Sequence, residues 1–240
     1  MDISKIKLIA FDLDGTLTQH KSPLSQQNRD VLLALAKKYK LLMVGAGMCR
    51  RIFEQMGRFP IDIIGNYGMQ YAEYDADTKD IIIKEDNHTD CDKESVEARV
   101  TSLRKKYGFT EYIGENVEYH ASGCITFPIL GTTAPLENKL AFDPDRSKRR
   151  VIHDDVKNVF SDYTVFVGGT SSFDMAPFPY NKYYALDKYC KQRALEHCEV
   201  AFVGDDYGQG GNDESVYKSD FNFITIDDYT KFPEIMKEFL

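Results

Sequence analysis

The chain predicts an α/β fold, a parallel sheet covered by helices on both faces, with an α+β domain inserted into it. Three observations carry this. The apolar run Ile6-Lys7-Leu8-Ile9-Ala10 ends at Asp12 and Asp14 ahead of Gly15, the pattern of a buried parallel strand whose carboxyl end carries a site. Strand and helix patterns then alternate as far as Ile64. A second apolar strand, Val200 to Val203, ends in the same way at Gly204-Asp205-Asp206.

Each element has its own warrant. Ser25 to Tyr39 reads as a helix because Val31, Leu32, Leu35, Ala36 and Tyr39 recur at helical spacing, with Lys37, Lys38 and Lys40 suiting its C-terminal end. Leu41 to Val44 is a strand, Cys49 to Met56 a helix and Ile61 to Ile64 a third strand. Met69 to Tyr74 and Ile81 to Lys84 flank a polar turn and read as a hairpin. From Glu85 the texture turns α+β: a helix from Glu94 to Tyr107 closed by Gly108, then strands at Val117 to Tyr119 and Cys124 to Phe127. A helix from Pro144 to Phe160 follows, with Asp143 as its N-cap and proline at the first position. Strands at Tyr163 to Val167 and Ser171 to Met175 complete this block. Beyond Pro177-Phe178-Pro179 the alternation resumes, with a helix from Lys182 to Glu196, strands at Val200 to Val203 and Phe223 to Ile226, and a closing helix from Pro233 to Phe239. Residues 1–84 and 180–240 are therefore expected to form a split core, and 85–179 an inserted cap placed to act as a lid.

Composition narrows the function classes. Lysine and arginine total 30 against 38 acidic residues, a net charge of −8, with no long basic run. The cluster Arg146, Lys148, Arg149 and Arg150 reads as a solvated helix face, so a nucleic-acid partner is not expected. Five cysteines are scattered without a CxxC pair, which fits reduced thiols in a cytoplasmic setting. The N-terminus lacks a signal-peptide core and no apolar run approaches membrane-spanning length, so no membrane association is expected. Monomer and homodimer both remain open.

Two carboxylates two residues apart, at a strand end, are costly unless a cation neutralises them. If both acidic strand ends share one sheet edge, Asp205 meets Asp12 and Asp14 around one hard cation, and oxygen-only ligands favour Mg²⁺. Lys182, at the start of a helix where the macrodipole disfavours it, then has a reason to be there. It would keep a carboxylate nucleophile ionised and neutralise the oxygens of a transferring phosphoryl group.

Asp12-Leu13-Asp14-Gly15-Thr16, Lys182 and the Gly204-Asp205…Gly211-Asn212-Asp213 run resemble motifs one, three and four of the haloacid dehalogenase (HAD) superfamily. More narrowly, Gly168-Gly169-Thr170-Ser171-Ser172-Phe173-Asp174 with the motifs that follow resembles the eukaryotic-type phosphomannomutases, and the insert's position matches a type IIB cap. The resemblance implies a HAD-like Rossmannoid core, with Asp12 as the nucleophile that becomes an aspartyl-phosphate and Asp14 as the acid/base. It implies Mg²⁺ held by Asp12, the backbone carbonyl of Asp14 and Asp205, with Asp213 beside them orienting water or Lys182. Ser172 and Asp174 match positions that meet sugar hydroxyls, which implies a small phosphorylated metabolite as substrate.

Departures from the pattern pull the other way. Where motif two offers Ser or Thr, this chain has Val44-Gly45-Ala46-Gly47, so backbone N–H groups of Gly45 and Ala46 would have to hold the phosphoryl oxygens. With a one-residue gap, the resemblance implies that the arginines that grip the distal phosphate in mutases fall on His120, Thr132 and Lys139, and another falls on Lys21. A mutase must hold a bisphosphorylated intermediate while it turns, and a phosphatase need only admit water. On that ground the expectation is a Mg²⁺-dependent phosphatase acting on a sugar phosphate, with a phosphomannomutase-like mutase as the alternative. A non-catalytic phospho-ligand-binding homologue is a third reading, disfavoured by the intact acidic cluster. Gly45-Ala46-Gly47 lacks the third glycine of a dinucleotide fingerprint.

Overall fold

The computed structural model describes all residues from 1 to 240. The first of its two compact units, Met1–Asp86, Asn181–Tyr207 and Asp213–Leu240, holds a seven-stranded sheet. In chain order its strands are β1 (Leu8–Phe11), β2 (Lys40–Val44), β3 (Asp62–Gly65), β4 (Gln70–Asp75) and β5 (Asp80–Asp86), and later β10 (Val200–Gly204) and β11 (Asn222–Thr225). The spatial order is β11-β10-β1-β2-β3-β4-β5. The five strands from β11 to β3 run parallel, and the β4–β5 hairpin adds an antiparallel edge.

β1 reads as an unbroken apolar run because both of its faces are covered. Ile9 and Phe11 face a core shared with Leu32 and Leu35 of α1 (Gln26–Leu35) and with Ile52 and Phe53 of α2 (Cys49–Gln55). Leu8 and Ala10 face the other core, with Ala185, Leu186 and Tyr189 of α6 (Lys182–Gln192). α7 (Glu214–Tyr217) and α8 (Phe232–Ile235) complete the helices of this unit. Ser25 caps α1 by accepting from the Asn28 amide, and α1 stops at Leu35, four residues before the expected Tyr39.

The second unit is Asn87–Tyr180 with Gly208–Asn212. Its four-stranded antiparallel sheet has the order β6-β7-β9-β8, from β6 (Glu118–Tyr119), β7 (Ile125–Pro128), β8 (Tyr163–Phe166) and β9 (Ser172–Pro177). Val96, Val100 and Leu103 of α3 (Lys93–Tyr107) and Ile152 and Val156 of α5 (Ser147–Val159) pack on it. Gly108 closes α3 at φ +72, as expected of a left-handed C-cap. The expected boundaries kept 208–212 with the core, but the Val167 amide donates to the Gly210 carbonyl at 2.7 Å and ties that loop to this unit.

Two expectations here need correction. The helix expected from Pro144 starts at Ser147 as α5, an unexpected helix α4 (Leu136–Phe142) precedes it, and Asp143 is not the residue before the first helical one of α5. Its carboxylate instead accepts from the amides of Lys148 and Arg149, at 3.0 and 3.1 Å, and from Arg149 Nε at 2.8 Å. Arg149 is accordingly not part of a solvated basic face. It is 1% exposed, since its head group is neutralised by Asp143 and also donates to the carbonyls of Gly168 and Ser172.

Candidate active site

β1 and β10 are neighbours in register, Phe11 opposite Val203, so the residues that follow each strand emerge at one sheet edge. The Asp12 amide donates to the Val203 carbonyl at 3.0 Å and extends the pairing by one residue. Asp12, Asp205 and Asp213 there bring one carboxylate oxygen each to within 4.8 Å of one another. Gly15, at φ +98, permits this closeness, because a Cβ on it would fall 2.5 Å from Asp205 Cγ. Thr16 Oγ1 donates to Asp205 Oδ1 at 2.8 Å.

Lys182 opens α6 behind the Asn181 cap and is fully buried. Its Nζ donates to Asp12 Oδ1 at 2.6 Å and to Asp213 Oδ1 at 2.7 Å. Burial alone would lower the lysine's pKa, but the charges of Asp12 and Asp213 more than offset it and hold the ammonium well above its ordinary value. Asp213 is also fixed by its second oxygen, which accepts from the Asp206 amide at 3.1 Å.

One lysine does not balance three carboxylates. Burial first, and then the charges of Asp12 and Asp213, push Asp205 up to about 8, against the pull of the Thr16 hydroxyl and Lys182. Asp213 is raised by burial, with Lys182 offsetting part of it. A buried oxygen-only set with surplus negative charge is what a hard divalent cation neutralises, so the residues fit Mg²⁺.

The Asp14 carboxylate stands apart from that group. Its Oδ1 accepts from the Lys21 amide and from Gln55 Nε2, both at 2.7 Å, and its Oδ2 lies 3.4 Å from Arg51 Nη1. Lys21 contributes its backbone here, at φ +55, with the residue exposed. Gly45 must be withdrawn as a phosphate donor, because its N–H is spent on the Ile64 carbonyl at 2.9 Å. Ala46, next along, is partly exposed.

The remaining expected residues belong to the second unit. Asp174 Oδ1 accepts from Thr126 Oγ1 at 3.1 Å and lies 3.3 Å from Ser172 Oγ. Burial raises its pKa, against those two hydroxyls and the charges of His120 and Arg149. His120 Nε2 is 3.2 Å from Thr126 Oγ1, and Lys139 Nζ donates to the Thr132 carbonyl at 2.8 Å. Thr16, Arg51, Gln55 and Thr126 were missed from sequence. Thr16 lies within the first motif, and Arg51 and Gln55 sit four apart on one helix, but nothing in their spacing points to Asp14.

The fold and the acidic sheet edge define a HAD-superfamily protein with a mixed sheet core, and comparison with known proteins agrees. Solved structures match over nearly the whole chain. An IMP-nucleotidase of Plasmodium falciparum covers 99% of this chain and 71% of its own, with a TM-score of 0.70 and 14% identity. A haloalkanoate-superfamily phosphatase of Bacteroides thetaiotaomicron covers 98% and 95%, with a TM-score of 0.63 and 15% identity. Identities this low speak for the fold alone. The sequence model of the eukaryotic phosphomannomutase family matches residues 28–234, and the chain belongs to that family. The phosphomannomutase of Spinacia oleracea is 26% identical over 234 residues, covering 88% of this chain and 86% of its own. That of Encephalitozoon cuniculi is 24% identical over 245 residues, covering 96% and 94%. These relatives overturn the expected phosphatase. The absence of arginines at a few positions weighs less than likeness along most of the chain to proteins named as mutases.

Proposed function

We propose that this chain is a phosphosugar mutase of the phosphomannomutase type, working through an aspartyl-phosphate on Asp12. The observation that carries the reading is the buried Asp12–Lys182–Asp213 bridge beside Asp205, which sets the Asp12 carboxylate against an ammonium at the edge of an acidic cluster that a divalent cation would complete. Asp12 attacks phosphorus, the bond from phosphorus to the sugar oxygen breaks, and Asp14 gives its proton to the departing oxygen. In the return half the other sugar hydroxyl attacks the aspartyl-phosphate, Asp14 takes up its proton and Asp12 is released. Lys182 pairs with the Asp12 carboxylate and offsets the charge gathered on the transferring oxygens. Asp213 holds Lys182 in place. Asp12, Asp205 and the Asp14 carbonyl would hold Mg²⁺, which when bound supplies further neutralisation of phosphoryl charge. Ser172 and Asp174 are assigned to sugar hydroxyls and Ala46 to a phosphoryl oxygen, with Lys21 and Lys139 as cations for phosphate.

The test is product analysis by phosphorus NMR. Supplied with a hexose 1-phosphate, Mg²⁺ and a trace of the hexose bisphosphate, the protein should yield the 6-phosphate with phosphate ester conserved. Free hexose and inorganic phosphate as the main products would overturn the reading.

A further inference from the structure

A phosphoryl-transfer site with no hydroxyl after β2, and with the Gly45 amide committed to the sheet, is short of a donor at that strand end. The structure sets a different group in that place. A Cβ on Gly47 would overlap Arg51 Nη2 and lie 2.6 Å from Arg51 Cζ. A side chain at 47 and this guanidinium therefore claim the same space. Arg51 Nη1 donates to Gln55 Oε1 at 2.7 Å, while Nη1 and Nη2 lie 3.4 and 3.5 Å from Asp14 Oδ2. Charge-assisted bonds usually run at about 2.7–2.9 Å, so Asp14 does not saturate the fork. The side chain is 43% exposed and open to a ligand from solvent.

Its neighbour gives the contrast. Arg50, also on α2, pairs with Asp80 at 2.5 Å and turns over the Phe53 ring, as a surface arginine does. Arg51 instead lies over a glycine backbone and beside the acid/base candidate. We infer that Arg51 is the phosphoryl-oxygen donor that stands in for the absent motif-two hydroxyl, gripping two non-bridging oxygens of the transferring group with its planar fork. Gly47 is small so that the guanidinium can lie there. The inference rests on the phosphoryl-transfer reading above and assigns a catalytic contact to a residue outside the superfamily motifs that marked the site.

The test uses Arg51→Leu, Arg51→Lys, and Arg51→Leu combined with either Gly47→Ser or Gly47→Ala, each checked for an unchanged melting curve. Two readouts are taken with Mg²⁺ present: the rate of Asp12 phosphorylation from a hexose bisphosphate, followed by intact mass after acid quench, and the affinity for orthovanadate by calorimetry. Arg51→Leu should slow phosphorylation by about 10²–10³-fold, the usual cost of one lost oxyanion donor, and should weaken vanadate in parallel. Lysine should recover part. Serine at 47 should recover at least about tenfold over Arg51→Leu, and alanine should recover nothing, because only the hydroxyl returns a donor. A merely structural hold on Asp14 would leave vanadate affinity unmoved and would not be repaired by serine. Phosphorylation of Arg51→Leu at close to the parent rate, or serine performing no better than alanine, overturns the inference. If the parent is not phosphorylated at all, the mutase reading fails, and the vanadate series alone then decides on Arg51.

Discussion

Lys182→Met is the sharpest probe of the buried site. The substitution keeps length and volume and removes the ammonium that bridges Asp12 at 2.6 Å and Asp213 at 2.7 Å, at a position with no exposure. Two carboxylates are then left buried without their cation, and breaking a buried pair in this way costs about 3–5 kcal/mol. The cost should shrink in the double variant Lys182→Met/Asp213→Asn, which removes one of the stranded charges. Contacting residues couple by about 0.5–3 kcal/mol, and a coupling in the upper half of that range is expected here. Mg²⁺ should also narrow the gap to the parent, because it neutralises the same oxygens. Acid should narrow it too, since burial already raises the Asp213 carboxyl, which is neutralised as the pH falls. The lysine's own contribution has the opposite sign: its folded pKa is raised, so the contribution is complete below the ordinary lysine value of about 10.4 and is lost only as the pH rises through the raised one. The chain has no tryptophan, so the measurement is urea unfolding followed by circular dichroism, without metal and then with it. A loss under about 1 kcal/mol, or strictly additive single variants, would refute the reasoning that Lys182 is the cation that makes this carboxylate cluster tolerable.

Three further outcomes are expected. Asp14→Asn should lower turnover by about 10²–10⁴-fold, the usual worth of general acid–base help, while still allowing Asp12 to be phosphorylated by substrates with good leaving groups, as intact-mass measurement can show. Chelator should abolish activity and Mg²⁺ restore it, with Ca²⁺ a poor substitute because its longer and more numerous bonds misplace the carboxylates, and full turnover of a metal-free preparation would count against the cation reading. Arg149→Met should cost about 3–5 kcal/mol by stranding Asp143. Burial works to raise the pKa of Asp143, but Arg149 and the amides of Lys148 and Arg149 outweigh it and lower the net value. Its share of parental stability is thus present above the ordinary carboxylate range and lost as the pH falls through the depressed pKa, which acid titration of both proteins would show.

The core sheet was legible because burial on both faces leaves a plain mark, the unbroken run from Leu8 to Phe11 and its twin from Val200 to Val203. The carboxylates at their ends were legible for the same reason, since polar groups stand out against such runs. Contacts made by side chains far apart in sequence were not. Arg149 looks like any member of a basic cluster until Asp143 is seen beside it, 2.8 Å from Nε. α4 escaped notice because its seven residues, Leu136–Phe142, are too few for the spacing of Leu136 and Leu140 to establish a helical period. Gly45 was a plausible donor in a glycine-rich strand end, and only strand pairing reveals that its N–H is taken.

The reason the phosphatase expectation failed is also physical. Mutase and phosphatase share the first half of the reaction on Asp12 and differ only in what attacks the aspartyl-phosphate afterwards. Weak grip on a distal phosphate raises the escape of the intermediate, but the partition between sugar hydroxyl and water depends on how well the hydroxyl is placed. An oriented intramolecular nucleophile reaches effective molarities of about 10⁵ M or more, against about 55 M for water. Replacing bidentate arginines by histidine, threonine and lysine loosens the far phosphate but leaves the placement of the hydroxyl to other groups. Residues that orient the sugar therefore weigh more in the outcome than the number of arginines on its far phosphate. In this chain Asp174 and Ser172 are the side chains assigned to that task, and Thr126, whose Oγ1 donates to Asp174 Oδ1 at 3.1 Å, holds the first of them in place. Thr126→Val should on this account raise phosphate release relative to isomerisation when both products are counted in one NMR time course, and an unchanged ratio would show that the sugar is oriented by other groups.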